Sequence, residues 1–394
     1  MNLSPLRWVA VAIFTLASAL NYLDRQLLAA LAPVLKTEFR LSNEDYGYIL
    51  SAFSIIYAFS APFAGWFLDR VGLNLGTTLA VGLWSLASAL HATVTGFRGL
   101  LGCRALLGVA EAAGIPSTGK AVGVYLAPKE MALGTAFSQL GISLGSMSAP
   151  LLVSVLAPAY GWQAPFVLSG VLGFVWIPVW LATARRIPAN PVAMAAPPVP
   201  VKEMLGDRRL WGMMAANAFF MVLYTLWTNW TTLYFVTARG LTQQQANQQF
   251  AWIPPVFATL GGFAGGAWAM RLIHGGARPQ EARIRICWIV SACSLVAAAV
   301  PLMPSSALAA ALISLSYFLI TCGSTNLYSL PIDLFGPGRA ALGVSALTMA
   351  YGVMQTFFSP VIGRLVDQVG FTSVLTGAAF LPLVACLILK FTVK

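Results

Sequence analysis

Residues 8–32 read WVAVAIFTLASALNYLDRQLLAALA. The run exceeds the roughly 20 residues a helix needs to cross a hydrocarbon core. It is uncharged except at one place, the adjacent Asp24 and Arg25. An ion in hydrocarbon costs at least about 2.5–3.5 kcal/mol on insertion scales, so such charges face a protein interior or a water-filled cavity. The stretch predicts a membrane-spanning helix with a charged inner face, in a protein that moves something charged.

Composition extends this reading to the whole chain. Of 394 residues, 58% are hydrophobic and 9% charged, with a mean hydropathy of +0.78. A soluble domain carries about 25% charged residues, so a soluble enzyme is excluded. The five cysteines form no CxxC pair and read as small buried hydrophobes. The only histidines, His91 and His274, fall near expected loop ends, and neither a metal nor another cofactor is expected. Arg7 and Ala17-Ser18-Ala19 resemble a signal peptide, but the apolar run continues to Ala32 and equal runs follow. An uncleaved first helix is expected.

Twelve spans are read, at 8–32, 46–68, 75–95, 97–126, 131–157, 163–183, 211–236, 248–271, 284–303, 306–334, 341–366 and 371–391. The fold class is therefore an all-α membrane protein of two pseudo-symmetric six-helix bundles. Residues 1–183 form the first, 184–209 a Pro- and Arg-rich cytoplasmic linker, and 210–394 the second. With the N-terminus inside, inner loops and tails hold 15 of the Lys and Arg and outer loops 5. That bias places both termini in the cytoplasm. It accounts for the net charge of +11 without a nucleic-acid partner.

The halves repeat. Ala132-Leu133-Gly134 recurs as Ala341-Leu342-Gly343, and Pro128 matches Pro337. Ala149-Pro150 and Gly161 are echoed by Ser359-Pro360 and Gly370. Parallel repeats around a midplane site are a transporter signature.

After span two, Gly65-Trp66-Phe67-Leu68-Asp69-Arg70-Val71-Gly72 resembles the GxxxDRxG signature of the major facilitator superfamily. Leu73 and Asn74 stand where that pattern has basic residues, and in the second half Met270 replaces the Asp. Gly65 is expected to permit close helix approach. Asp69, with Arg70 beside it, is read as a gate that caps a helix or pairs with a cation across the halves. Lys120 is read as a snorkelling cation or a lining of the inner vestibule.

Arg104, Gly108 and Glu111 in span four are spaced i, i+4, i+7 and share a helical face, and Pro116 invites a kink. Arg104 and Asp24 lie at similar depths, about seven and eight residues below the outer edge at ~1.5 Å each. An Asp24–Arg104 pair is therefore expected. Arg25, turned about 100° away, is left as the anion clamp, with Glu111 free to take a proton.

Asn21-Tyr22-Leu23-Asp24-Arg25, Asp69-Arg70, Arg104…Gly108…Glu111 and Tyr160-Gly161-Trp162 together resemble the anion:cation symporter family, with hexuronate-type carriers nearest. The resemblance implies proton-coupled uptake of an organic anion. It implies substrate contacts from Arg25 and Tyr57, with Asn21 and Tyr22 of the same motif beside them, and proton handling by Asp24 and Glu111 with Arg104. The second half is nearly free of central charge. Tyr224 and Asn229 in span seven, Ser324, Thr325 and Asn326 in span ten, and Tyr351 and Gln355 in span eleven are neutral groups suited to substrate hydroxyls, or to holding helices together. Gly141-xxx-Gly145 with Ala149-Pro150 faintly resembles the glycine-proline motif of antiporter branches.

The leading expectation is a monomeric, proton-coupled symporter of a small organic anion, a sugar acid such as a hexuronate or aldonate, or another carboxylate, acting in the inner membrane. An organic-anion exchanger, a monocarboxylate carrier, a drug exporter and a non-transporting sensor stay open. An enzyme is not expected, since neither HExxH nor GxSxG with a nearby His is present.

Overall fold

The structure, a computed structural model, describes residues 6–127, 130–187 and 204–393. Pro128, Lys129, Lys202, Lys394 and most of the expected linker lie outside the described residues. Every regular element among the described residues is helical. Eleven helical segments are long and apolar enough to cross a membrane, and the last, Leu342–Thr392, contains the expected spans eleven and twelve together.

The first seven helices are α1 (Leu6–Phe39), α2 (Asn43–Val71), α3 (Leu73–His91), α4 (Phe97–Glu111), α5 (Gly114–Tyr125), α6 (Met131–Tyr160) and α7 (Gln163–Ala184). The rest are α8 (Arg208–Asn229), α9 (Thr231–Thr237), α10 (Gln243–Ala246), α11 (Ile253–His274), α12 (Pro279–Cys293), α13 (Ser306–Phe335), α14 (Pro337–Ala379) and α15 (Leu381–Thr392). A π-turn at Asn247–Ala251 joins α10 to α11, and a 3₁₀ stretch, Ser294–Leu302, extends α12.

Local chemistry accounts for the breaks. Span four divides into α4 and α5 at residues 112–113. Pro116 lacks an N–H and its ring crowds the carbonyl four residues back, that of Ala112. Gly72, between α2 and α3, adopts φ 90°, a conformation that favours glycine. Gly161 and Gly370, matched in the repeat, share one geometry, φ 84° ψ 163° and φ 74° ψ 172°. The second of these bends α14.

Two compact units result. The first gathers α1, α2 from Tyr48, α3 to α7 and Gln243–Gln248; the second gathers Ser42–Gly47 and the chain from α8 onward, apart from Gln243–Gln248. Beside Pro33, the Val34 N–H donates to Gln243 Oε1 at 3.1 Å, and the Ala30 carbonyl accepts from Asn247 Nδ2 at 2.9 Å. In the second unit, Asp367 accepts from the backbone N–H groups of Asn43 and Glu44 at the start of α2. A carboxylate suits a helix N-terminus.

The core of the first unit is aromatic. Phe14, Trp84 and Trp180 are at most 1% exposed, and Trp176 donates its indole N–H to the Ile13 carbonyl at 2.8 Å. The α1–α6 contact depends on glycine: a Cβ at Gly141 would lie 2.3 Å from Thr15 O, and one at Gly145 2.1 Å from Ala19 O. The Gly141-xxx-Gly145 stripe therefore has a structural task, seating α6 on the helix that carries the charges. Of the cysteines, Cys287, Cys322 and Cys386 are buried, whereas Cys103 is half-buried and Cys293 exposed.

Candidate functional site

Arg104, Gly108 and Glu111 face the interior of the first unit from one side of α4, as their spacing requires. Gly108 is where α2 touches: a Cβ there would lie 2.8 Å from Phe53 O and 3.2 Å from Tyr57 N. That approach sets Phe53 and Tyr57 among the charges. The Phe53 ring has the Arg104 guanidinium 4.7 Å and the Arg25 guanidinium 5.0 Å from its centroid. Arg25 also lies over Tyr57 (4.4 Å) and Tyr22 (4.8 Å), and Tyr57 stacks on Phe53. Aromatic faces attract a guanidinium, and more strongly once both are desolvated.

The state of Glu111 differs from the sequence expectation, which left it free. Arg25 Nε donates to Glu111 Oε2 at 2.6 Å, with the Glu111 side chain 0% exposed. Asp24 Oδ1 accepts from Ser88 Oγ at 2.6 Å and Ser169 Oγ at 2.5 Å. The Arg104 charge acts on both Asp24 and Glu111, and a close ion pair joins Arg25 to Glu111. Depth along two helices fixes height, not rotation. The short Asp24 side chain points between α3 and α7, while the longer Arg25 reaches α4. Glu111 is thus engaged rather than free, although its Oε1 and Arg25 Nη2 are buried without a hydrogen-bond partner among the described residues.

Asn21, one turn before Arg25, is 2% exposed, and its Nδ2 has no partner among the described residues. With Ser18, Tyr22, Gly114 and Thr118 it lines a small cavity. His91, expected near a loop end, is fully buried and stacks on Phe166.

At the signature loop, Asp69 pairs with Lys120 of its own unit at 2.8 Å, and Lys120 Nζ also donates to the Leu68 carbonyl at 2.9 Å. Lys120 therefore bonds the last turn of α2, which replaces the snorkelling expected for it. Arg70 lies over Trp66, 5.9 Å from its centroid. The space a Cβ would take at Gly65 has nothing within 4 Å. No close approach uses Gly65 among the described residues.

The second unit has a cluster of hydroxyls. Tyr224 packs edge-on against Tyr317 (5.2 Å) and Tyr351 (5.9 Å), and Tyr317 shares a 2.6 Å hydrogen bond with Thr228. Tyr224 and Tyr351 were legible in the sequence; Tyr317 and Thr228 carried no spacing signal. Other expected contacts bond to backbone. Asn229 Nδ2 donates to Thr225 O, Thr325 to Thr321 O, and Asn326 to Gly265 O and Cys322 O. Ser324 and Gln355 are half-buried on α13 and α14.

The Major Facilitator Superfamily profile matches residues 14–355, most of the chain. The chain belongs to the major facilitator superfamily. This member is 27% identical to the hexuronate transporter of Escherichia coli (strain K12), over 98% of this chain and 94% of that protein. It is 31% identical to the galacturonate transporter of Dickeya chrysanthemi, over 67% and 82%. A bacterial homologue of the human lysosomal transporter Spinster, solved in an inward-facing and occupied conformation, superposes with TM-score 0.80 at 18% identity, covering 99% and 96% of the two chains. That likeness speaks for the fold. The superfamily member is a multi-pass membrane transporter and not an enzyme.

Proposed function

We propose that this transporter carries a sugar acid, a hexuronate or aldonate, together with protons, by alternating access in the cytoplasmic membrane with both termini inside. The named substrates of its relatives and the bias of Lys and Arg toward one set of loops support this reading. The observation that carries it is the state of Arg25. Nε and Nη2 form one edge of a guanidinium, the edge that grips a carboxylate with two parallel hydrogen bonds. Here Glu111 holds Nε, and Nη2 has no partner among the described residues.

A substrate carboxylate that takes the whole edge displaces Glu111. The displaced carboxylate sits in a fully buried place, where an unpaired charge is costly, and a proton removes that cost. Substrate and proton then load together. Tyr22, Phe53 and Tyr57 hold the guanidinium in place. Asp24 is a second acid for the same cluster, under the field of Arg104. In the second unit, the hydroxyls of Tyr224, Tyr317, Tyr351 and Thr228 have the chemistry for substrate hydroxyls.

The test is uptake of galacturonate by reconstituted vesicles under an imposed pH gradient. Accumulation in the wild type and none in Asp24→Asn plus Glu111→Gln is expected. Accumulation in the double variant overturns the proton assignment. Counterflow without any pH dependence in the wild type replaces symport with exchange.

A further inference from the structure

Asp24 differs from Glu111 in the kind of partner it has. Its Oδ1 accepts from two serine hydroxyls, Ser88 of α3 and Ser169 of α7, both at most 1% exposed. A hydroxyl has a single hydrogen to donate and lone pairs to accept with. Ser88 Oγ has a second acceptor within reach, the Phe166 carbonyl at 3.4 Å. A helical serine also reaches the carbonyl one turn back, which for Ser169 is that of Pro165.

These options matter because a buried site that changes charge must satisfy its hydrogen bonds in both states. With Asp24 ionised, both hydroxyls donate to it. When hydronium delivers a proton, its O–H bond breaks to leave water and one new O–H bond forms on the carboxyl; the only hydrogen bond that must be exchanged is one from a serine. The acid donates to a serine oxygen, and that serine's hydrogen turns to a backbone carbonyl. Rotation of one serine hydroxyl accommodates the proton without moving a helix.

We propose that Ser88 and Ser169 are positioning residues for a proton on Asp24, both donating to the carboxylate in one state and one of them turning to a backbone carbonyl of α7 in the other. The inference rests on the reading of Asp24 as a proton carrier. Among the described residues, Arg104 and Glu111 from α4 interact with Asp24, Arg25 adjoins it on α1, and His91, under the same Arg104 charge, follows Ser88 by three residues on α3. His91 is engaged with the Ala87 carbonyl through Nδ1 at 2.7 Å. Between residues 163 and 184, α7 brings no charged side chain. The two serines are therefore the neutral part of the site, and the part that can turn.

Infrared difference titration of the reconstituted transporter reads this directly. The carboxylic-acid C=O stretch of Asp24 is the band that Asp24→Asn removes. Losing a donor to the charged form favours the acid, so Ser88→Ala and Ser169→Ala should each move the half-titration pH upward, by about one unit or more. Ser88→Thr, which keeps the hydroxyl, should titrate near the wild type. Ser88→Cys keeps the volume with a weaker donor and serves if an alanine variant does not fold. An Asp24 band unmoved by these serine changes overturns the proposal alone, as does a threonine variant displaced as far as alanine. Identical titrations of the wild type and Asp24→Asn instead remove Asp24 as a proton carrier, and the serine role with it.

Discussion

Glu111→Gln should make this transporter bind its substrate more tightly. If Arg25 is the proposed clamp, the wild-type substrate must take it from a carboxylate already bonded to its Nε at 2.6 Å. A hydrogen bond to a charged group is worth roughly 1.5–3 kcal/mol net. At 1.4 kcal/mol per tenfold, removing that competitor raises affinity about tenfold to a hundredfold. Glutamine keeps the shape but not the charge, so the guanidinium waits for an anion. The substrate-free variant also bears a cost, since breaking a buried pair leaves an uncompensated charge worth about 3–5 kcal/mol. A bound carboxylate returns much of it, so ligand should raise Tm more in Glu111→Gln than in the wild type. Calorimetric titration of purified protein with galacturonate at several pH values measures the affinity, and vesicle counterflow measures whether exchange survives. Tighter binding with flattened pH dependence, and exchange without gradient-driven accumulation, is the expected pattern. Binding no tighter than wild type, with pH dependence intact, would show that Glu111 does not compete for Arg25.

Arg25→Lys should weaken binding roughly tenfold to a hundredfold, because a lysine donates from a point rather than a fork, and Arg25→Ala should abolish it; undiminished affinity in the same titration rules out the clamp. Gly145→Leu places a Cβ 2.1 Å from Ala19 O and 2.9 Å from Leu23 N, so α1 and α6 must part. A Tm loss matching about 1–3 kcal/mol is expected, whereas Gly266→Ala, with nothing within 4 Å, should hold its Tm. Asp207 caps α8 by accepting from the Arg209 N–H at 2.8 Å, so Asp207→Ala should cost about 1 kcal/mol in denaturant unfolding. The Arg209 side-chain hydrogen bond lowers the Asp207 carboxyl below its ordinary 3.8. Its contribution is therefore fully present above that ordinary value and lost as pH falls through the lowered one. The difference between wild type and Asp207→Ala should stay constant at neutral pH and shrink only in acid; shrinkage near neutrality would refute the cap.

The sequence by itself determined the architecture. Apolar runs long enough for hydrocarbon admit little but helices, and this constraint acts locally, residue by residue. It likewise determined that Asp24, Arg25, Arg104 and Glu111 share an interior, because charges in such runs have nowhere else to go. The helix period put Arg104, Gly108 and Glu111 on one face, and Gly161 and Gly370 marked the same turn in both halves. Tertiary structure alone decided which charge meets which. Periodicity gives each side chain a height and a face on its own helix, but pairing depends on how neighbouring helices are rotated and how closely they approach. Gly108, Gly141 and Gly145 set those approaches through contacts with chain far away in sequence. Ser88 and Ser169 were illegible for the same reason: a lone serine in an apolar helix has no period, and only packing reveals that two of them meet one carboxylate. The adjacent pair in residues 8–32 was legible as charge, and its division between α4 and the α3–α7 contact was decided by the fold.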